Sequence, residues 1–142
     1  MALVEFALVL PVLLVLLLGM LDFGKAFNYW IDETHLANEG ARWAAVNKNP
    51  GSGSLQQYIR SQANTAELRN GGTAWLTAPI QICISFPNGT SNVGDPVRVT
   101  ASATYNWLPF IGSRIGITQT SISASATMRL EAAPTVYSAG CA

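Results

Sequence analysis

The sequence predicts an α+β protein: a long N-terminal hydrophobic helix, packed by a short helix and by a head with a three- or four-stranded antiparallel sheet. An apolar run fills residues 1–21, and apolar residues then recur with helical spacing up to about Val46. A second, capped helical pattern begins at Ser54. After Gly72 three stretches alternate apolar and polar residues with a period of two, as half-buried strands do.

The apolar run contains a single charged residue, Glu5. As a helix, residues 1–21 extend over ~30 Å, which is enough to cross the hydrocarbon core of a bilayer. Pro11 removes one backbone hydrogen bond and predicts a local bend or loosening of the helix. A carboxylate at the depth of Glu5 is costly in a membrane and usually functional.

Two simpler interpretations of this run were weighed. A cleaved signal peptide is disfavoured, because no Lys or Arg precedes Lys25 and the residues from Leu18 to Asp22 form a poor A-x-A cleavage site. A plain single-span anchor, with Glu5 at the level of the lipid headgroups, remains open.

The helix is predicted to continue to about Val46, where Asn47-Lys48-Asn49-Pro50-Gly51 forms a stop signal. Its apolar positions recur at steps of three and four: Phe23, Phe27, Trp30, Ile31, Thr34, Ala37, Ala41 and Ala44. The polar positions fall largely elsewhere on the helix: Asp22, Lys25, Asp32, Glu33, Asn38, Glu39 and Arg42. We therefore expect the apolar set to pack under the head and the polar set to face solvent.

The aromatic residues just after the apolar run allow a second interpretation. Phe23, Phe27, Tyr29 and Trp30 could form a belt at the membrane–water interface instead of packing under the sheet. The two arrangements are compatible with each other at different stages of the protein's life.

The head is predicted from local patterns. Ser54 with Gln57 fits a capping box, and the helix that follows is expected to run to about Leu68 and to end at Asn70-Gly71-Gly72. The strands are expected at 80–86, 97–105 and 122–130, joined by Pro- and Gly-containing turns. Residues 1–46 thus form the helix, with 1–21 as membrane or filament core and 22–46 as the half that packs on the head, and residues 47–142 form the head.

Charge and side-chain chemistry exclude several functions. Eight basic and eight acidic residues are spread without a run, which argues against a nucleic-acid partner. The single histidine, His35, falls on the polar side of the helix, and Asp32 and Glu33 point about 100° apart, so neither forms an acid–base pair. With no phosphate loop and no metal-ligand spacing, we predict no enzyme activity, no cofactor and no metal.

The N-terminal residues carry a family resemblance. The stretch LVEFALVLP at residues 3–11, followed by GMLDFGK at residues 19–25, resembles the N-terminus of TadE-like pilins of the Tad (tight adherence) branch of type IV pilus-like systems. The similarity covers about 25 residues, with a weaker echo of the family's closing strand at residues 121–131. It implies a pilin-like fold and a structural subunit of a pilus used in cell adhesion.

The resemblance also implies partners and a location. Such proteins are made with a leader that a prepilin peptidase removes, so the chain is expected to represent a mature form beginning at Met1. They are held in the bacterial inner membrane and then assembled by Tad or type IV machinery into an extracellular filament of copies of the same chain. A low-copy pseudopilin acting in assembly or at the tip is the alternative, and a single-span surface-binding protein is a further one.

Five residues are assigned to assembly: Met1, Glu5, Pro11, Leu14 and Leu17. A buried Glu5 carboxylate needs a counter-charge, and the nearest cation in the sequence is the α-amine of Met1. The resemblance implies that the neighbouring subunit supplies it. Leu14 and Leu17 lie in the part of the run expected to pack against other copies.

Two further sites are predicted in the head. Cys83 and Cys141 suggest one disulfide in an exported protein, where the tail after Ala132 is expected to have little else to anchor it. Closing this loop would stabilise the head by ~4 kcal/mol in the chain-entropy model. Asn88 begins an Asn-Gly-Thr sequon and is a candidate for glycosylation, although Asn-Gly is equally explained by turn formation.

Overall fold

A computed structural model describes residues 2–108, 112–113 and 116–142 of the chain. The elements follow in the order α1 (Ala2–Ala45), α2 (Leu55–Ser61), α3 (Ala66–Asn70), β1 (Gln81–Ser85), β2 (Pro96–Asn106), β3 (Gln119–Arg129) and β4 (Gly140–Cys141). The predicted α+β, pilin-like architecture is confirmed: a long helix projects from a head made of short helices and an antiparallel sheet.

Helix α1 is continuous over 44 residues, a length of ~66 Å. Pro11 lies inside it without ending it. The helix ends at Ala45, one residue before the predicted Val46, and Asn47 follows with a left-handed backbone at a φ of 51°. Asparagine is among the residues that tolerate this conformation, which is a common way for a helix to end.

The sheet has the strand order β3-β2-β1-β4, with antiparallel neighbours throughout. The alternation predicted for β2 is confirmed, because five apolar side chains are buried along it: Val97, Val99, Ala101, Ala103 and Tyr105. Strand β1 pairs with residues 98–102 of β2, while β3 pairs with the whole of β2. The fourth strand, β4, has only two residues, too few to show a period in the sequence.

The single helix predicted from Ser54 to about Leu68 is wrong, although its capping box at Ser54 and Gln57 is present. The chain leaves the helix after Ser61 and begins a new one at Ala66. The backbone N–H and side-chain amide of Asn64 donate to the Asp32 carboxylate at 2.9 and 3.0 Å, and Thr65 caps α3. Asn and Thr are better cap residues than helix residues, so the bond to α1 outweighs continuation of α2.

The C-terminal tail is much better anchored than the sequence suggested. The Asn47 side chain bonds to the backbone and hydroxyl of Thr135, and the Tyr137 hydroxyl donates to the carbonyl of Ala44. The backbone N–H of Glu131 donates to the Ala45 carbonyl. These contacts satisfy carbonyl groups that a helix end leaves without partners, so the tail completes α1 while α1 holds the tail.

Beyond that point the tail joins the sheet. Gln56 of α2 donates to the carbonyls of Ser138 and Gly140, and Ala142 exchanges backbone hydrogen bonds with Ile82 of β1. Cys83 and Cys141 are joined by a disulfide across the β1–β4 pair, 58 residues apart in sequence. The bond lies on the outer side of the sheet, since Ile82 and Ile84 on either side of Cys83 are buried.

The face of α1 that packs on the head differs from the predicted one in its first half. Phe23, Phe27, Trp30 and Ile31 were expected under the sheet but are 44–64% exposed. Three carboxylates expected in solvent, on Asp22, Asp32 and Glu33, are buried instead. In the second half the prediction is confirmed, with Ala37, Ala41 and Ala44 buried. A helix places its apolar stripe against whichever surface covers it, and here the head offers polar partners that the helical periodicity cannot reveal.

Gly40 lies where α1, α2 and the sheet come closest together. A Cβ atom there would lie 2.7 Å from Ile59 Cδ1 and 3.0 Å from Val99 Cγ1, whereas one at Gly24 would have no heavy atom within 4 Å. Glycine inside a helix lowers its stability, so its presence at position 40 reflects close packing.

We expect Gly40→Leu to destabilise the head by ~1–3 kcal/mol through overpacking, whereas Gly24→Leu on the open face leaves stability unchanged or slightly raised. Thermal unfolding of the two variants in the same detergent, followed by near-ultraviolet circular dichroism, measures the difference. Equal melting temperatures would contradict the close approach of the three elements.

Candidate functional site: the exposed half of the long helix

The segment Leu3–Leu21 of α1 has none of the described residues of the head packed against it as a core. Its large apolar side chains are 36–82% exposed, and its most apolar 18-residue window has a mean hydropathy of 2.7 with no residue buried. By length and composition this helix is able to cross a membrane. The protein therefore presents ~28 Å of helix whose apolar surface is uncovered in the single chain.

The residues assigned to assembly lie on this uncovered segment. Glu5, Pro11, Leu14 and Leu17 are all exposed, and Met1 lies outside the described residues. Glu5 lies ~25 Å along the helix from Asp22, where the head begins to make contact. Within the described chain its carboxylate has neither an ion pair nor a side-chain hydrogen bond. The head is thus too far away to supply a counter-charge for Glu5.

Asp22 is the first residue of α1 to bind the head, and it is 4% exposed. The Tyr105 hydroxyl at the end of β2 donates to the Asp22 carboxylate and also approaches its main-chain carbonyl at 3.1 Å. The backbone N–H of Leu108 donates to the second carboxylate oxygen at 2.9 Å. Burial and the adjacent Asp22 carboxylate raise the pKa of Tyr105, so the hydroxyl remains a donor.

Lys25 makes the second contact, three residues later on the same side of the helix. Its ammonium group lies 3.1 Å from the Glu67 carboxylate of α3 and 3.4 Å from the centre of the Trp75 ring. A cation over an aromatic ring gains about 0.5–2 kcal/mol, depending on how far water is excluded. Together Asp22 and Lys25 hold the helix to both the sheet and α3 at the level where the apolar segment ends.

Next to these contacts, aromatic rings pack between α1 and the sheet. Tyr29 is 1% exposed, and its ring lies 5.8 Å from that of Tyr105, which in turn lies 5.1 Å from Trp107 in an edge-to-face arrangement. Such tilted pairs are favourable beyond their burial alone. The rotation of α1 about its axis is therefore fixed by a polar contact at Asp22 and an apolar contact at Tyr29.

Glu33 lies further along the same face and is fully buried. Among the described residues, none forms a hydrogen bond of good geometry with its carboxylate oxygens, although the backbone amide of Ala103 lies near them. Burial, reinforced by the neighbouring Asp32 carboxylate, raises the pKa of Glu33 to about 8, and the backbone amide of Ala103 opposes the rise. At neutral pH this group is therefore mainly protonated in the folded protein.

On the opposite side of the helix, four apolar residues continue the surface of the uncovered segment past Leu21. Phe23, Phe27, Trp30 and Ile31, here called the aromatic stripe, are 64, 50, 44 and 51% exposed, and the rings of Phe27 and Trp30 lie 5.6 Å apart. This half of α1 thus has one face that binds the head and an opposite, apolar face that is largely exposed.

Comparison with known families gives a match on the N-terminal helix. Residues 1–42 match the family described as TadE-like protein. The match extends from the apolar segment through Asp22, Lys25 and the aromatic stripe, and ends three residues before α1 does. The resemblance inferred from residues 3–25 is thereby confirmed for the N-terminal helix. No curated protein and no solved structure matched the chain.

Two residues of the TadE-like segment contact the head although the sequence pattern did not predict it. The helical pattern predicts that Asp22 and Lys25 face solvent, yet they attach the helix to the head. Asp22, Lys25, Tyr29 and Asp32 recur at steps of three and four, which is the spacing of one helix face whether that face contacts protein or water. The sequence therefore carries no signal that separates these residues from a solvated polar face.

The other candidate residues lie apart from this segment. His35 is exposed on α1, and no group of three potential metal ligands occurs within the described ranges. Asn88 is exposed in the turn after β1, where Gly89 has a φ of 72°, so turn formation alone accounts for the Asn-Gly pair. Glycosylation of Asn88 stays a prediction.

The raised pKa of Glu33 predicts a pH dependence of stability. As pH rises from 4.5 to about 8, the unfolded chain releases the proton while the folded chain keeps it, so stability falls by up to about 1 kcal/mol per pH unit. Glu33→Gln removes this slope, and Glu39→Gln on the solvent side of α1 leaves it in place. Urea unfolding in detergent at pH 5, 6.5 and 8 measures both, and a Glu33→Gln variant with the wild-type slope would contradict the assignment.

Proposed function

We propose that this protein is a structural subunit, a pilin, of an extracellular type IV or Tad-like pilus filament, and that it polymerises through Leu3–Leu21 of α1. The observation that carries the proposal is the uncovered apolar segment, which matches the TadE-like family and whose most apolar window has no buried residue in the described part of the chain. Its proposed location is the bacterial inner membrane before assembly and the pilus on the cell surface afterwards.

The uncovered segment requires a partner. In the inner membrane lipid covers it, and once the subunit leaves the bilayer only other apolar surface can do so. The same segment of neighbouring copies is suitable, because identical helices related by a rotation and a rise make heterologous contacts that extend into a helical polymer. The low share of charged residues, 11%, fits a subunit whose surface is partly buried against copies of itself.

The attachment at Asp22 and Lys25 suits such a subunit. Because these contacts hold the base of the head to the helix, a helix positioned in a filament core carries its head to a defined place outside the core. Residues 1–21 then act as the core and residues 22–46 as the connection to the head at 47–142. Prepilin peptidase and the Tad or type IV assembly machinery are the partners that this role implies.

Glu5 has a specific part in the proposal. Within an apolar core its carboxylate would be unpaired, since the head of its own chain lies ~25 Å away. We propose that the N-terminal α-amine of the adjacent subunit, Met1 in this sequence, neutralises it and thereby sets the register between subunits. Pro11 lies between Glu5 and the leucine-rich part and provides local freedom for the helix to fit the bundle.

Two other roles remain candidates because the same helix serves them. A low-copy pseudopilin would use the segment in assembly or at the filament tip, and the TadE-like match favours it as much as the main subunit. A single-span surface-binding protein would keep the segment in the membrane permanently and would have no need of Glu5.

We expect Glu5→Ala to leave expression and membrane insertion intact and to abolish filaments, because an assembled subunit loses the charge pair that sets its register. Glu39→Ala, which removes a carboxylate at the level of the head, is the matched control and retains filaments. The measurement is the yield of sheared extracellular fibres by immunoblotting and electron microscopy. Fibres of Glu5→Ala at the wild-type yield would exclude the proposed role of Glu5.

The filament itself is tested by Leu14→Lys and Leu17→Lys. Each places a charge in the apolar contact between copies, at a cost of several kcal/mol, and is expected to abolish fibres. Val93→Lys, which makes the same kind of change at an exposed apolar residue of the head, should not. If wild-type fibres do not react with antibodies to this chain although the chain is needed for their formation, the pseudopilin is the correct role.

A further inference from the structure

The aromatic stripe is an apolar surface that lies outside the proposed contact between the Leu3–Leu21 segments of neighbouring copies. It lies beyond Leu21, at the level of the head, and each of its four side chains is at least 44% exposed. Burying such a surface is favourable by about 25 cal/mol per Å², so something is expected to cover it.

The charged residues of α1 near the aromatic stripe indicate what kind of surface could cover the stripe. Between Met20 and Asn38 the carboxylates of α1 belong to Asp22, Asp32 and Glu33, and all three are turned into the head and buried. The one cation in this range, Lys25, is half-buried and paired with Glu67. The exposed surface from Met20 to Asn38 therefore carries aromatic, aliphatic and neutral polar groups but no carboxylate that an anionic lipid surface would repel.

The length of the helix also favours a lipid bilayer as the surface that covers the stripe. Leu3–Leu21 spans ~28 Å, close to the ~30 Å thickness of the hydrocarbon core. From Leu3 to Ile31 the helix runs ~42 Å, whereas the hydrocarbon core plus one headgroup layer is ~35–37 Å thick, so a tilt of ~30°, within the usual range for membrane helices, fits this length to that depth. The stripe is thus continuous with the membrane segment and falls at the depth of one headgroup layer, where aromatic side chains are enriched.

We propose that the aromatic stripe is a lipid-binding surface: before assembly, Phe23, Phe27, Trp30 and Ile31 lie in the headgroup layer of the bilayer and seat the base of the head against the membrane. This inference rests on the proposed membrane-held state of the subunit. The contacts of Asp22 and Lys25 keep the opposite face of the helix on the head, so the stripe faces lipid while the head stays out of the hydrocarbon.

The position of the stripe along the helix would also determine how deep the helix lies in the bilayer. Extraction of the subunit from the bilayer would first lift these four residues out of the headgroup layer, while Leu3–Leu21 is still in the hydrocarbon. The anchor therefore adds a separate, local contribution to membrane retention.

The test uses the full chain at one copy per lipid nanodisc and measures quenching of tryptophan fluorescence by lipids that carry a nitroxide in the headgroup. Wild-type protein, with four tryptophans, is expected to lose the share of emission that Trp30 contributes, and Trp30→Phe is expected to lack this quenched component. A tryptophan introduced as His35→Trp in the Trp30→Phe background lies a further ~7 Å along the helix and should stay unquenched.

A second measurement separates the stripe from the membrane segment. In the same background, Leu14→Trp should be quenched by lipids brominated deep in the acyl chain. If Leu14→Trp is quenched while wild type and Trp30→Phe respond equally to the headgroup quencher, the inference is wrong and the membrane-held state stands. If Leu14→Trp is not quenched either, the membrane-held state fails and the inference with it.

Occupancy by a second copy is the competing outcome. If Trp30 is not quenched at one copy per disc and its emission shifts to the blue only when several copies share a disc, the stripe binds another chain and the lipid assignment is overturned.

Replacement of the stripe by Phe23→Ser and Phe27→Ser supplies a functional readout. The doubly substituted chain should be released from vesicles by alkaline carbonate more readily than an Asn28→Ser control.

Discussion

The attachment of Asp22 to the end of β2 is the interaction on which the arrangement of this protein depends. It is a buried carboxylate held by the Tyr105 hydroxyl and the Leu108 backbone, at the level where the head first meets the helix. Because an unpaired buried carboxylate is strongly unfavourable, the helix cannot rotate about its axis without losing this pair. The rotation that satisfies Asp22 also places Lys25 against Glu67 and Trp75, and turns Phe23 and Phe27 outward.

The same constraint divides the helix into two parts with different requirements. The part that bears Asp22 and the residues after it is packed by the sheet, by α2 and, at its C-terminal end, by the tail that bonds to Ala44 and Ala45. The part before Asp22 is satisfied only in its backbone, through the helix itself. Its apolar side chains are exposed, and the proposed function has lipid or other copies of the chain cover them.

The tail illustrates how a short stretch without secondary-structure signals acquires a role. Residues 131–142 show no period, yet they complete the end of α1, bond to Gln56 and form β4 with a disulfide to β1. Each of these contacts joins groups that are more than 50 residues apart. Only the positions of α1 and β1 in space bring the partners together, so the sequence suggested the cysteine pair but not the hydrogen bonds around it.

The sequence by itself determined the features that depend on neighbouring residues. The apolar segment, the TadE-like motif, the capping box at Ser54 and the alternation along β2 were all predicted, because each is a local pattern with a physical period. Tertiary structure decided which side of α1 binds the head and where α2 ends. Both outcomes depend on buried carboxylates, Asp22 bound to Tyr105 and Asp32 bound to Asn64, whose partners come from distant parts of the chain. A helical period ranks faces by apolarity, and it fails where the head supplies hydrogen bonds to a polar face while the apolar face stays exposed.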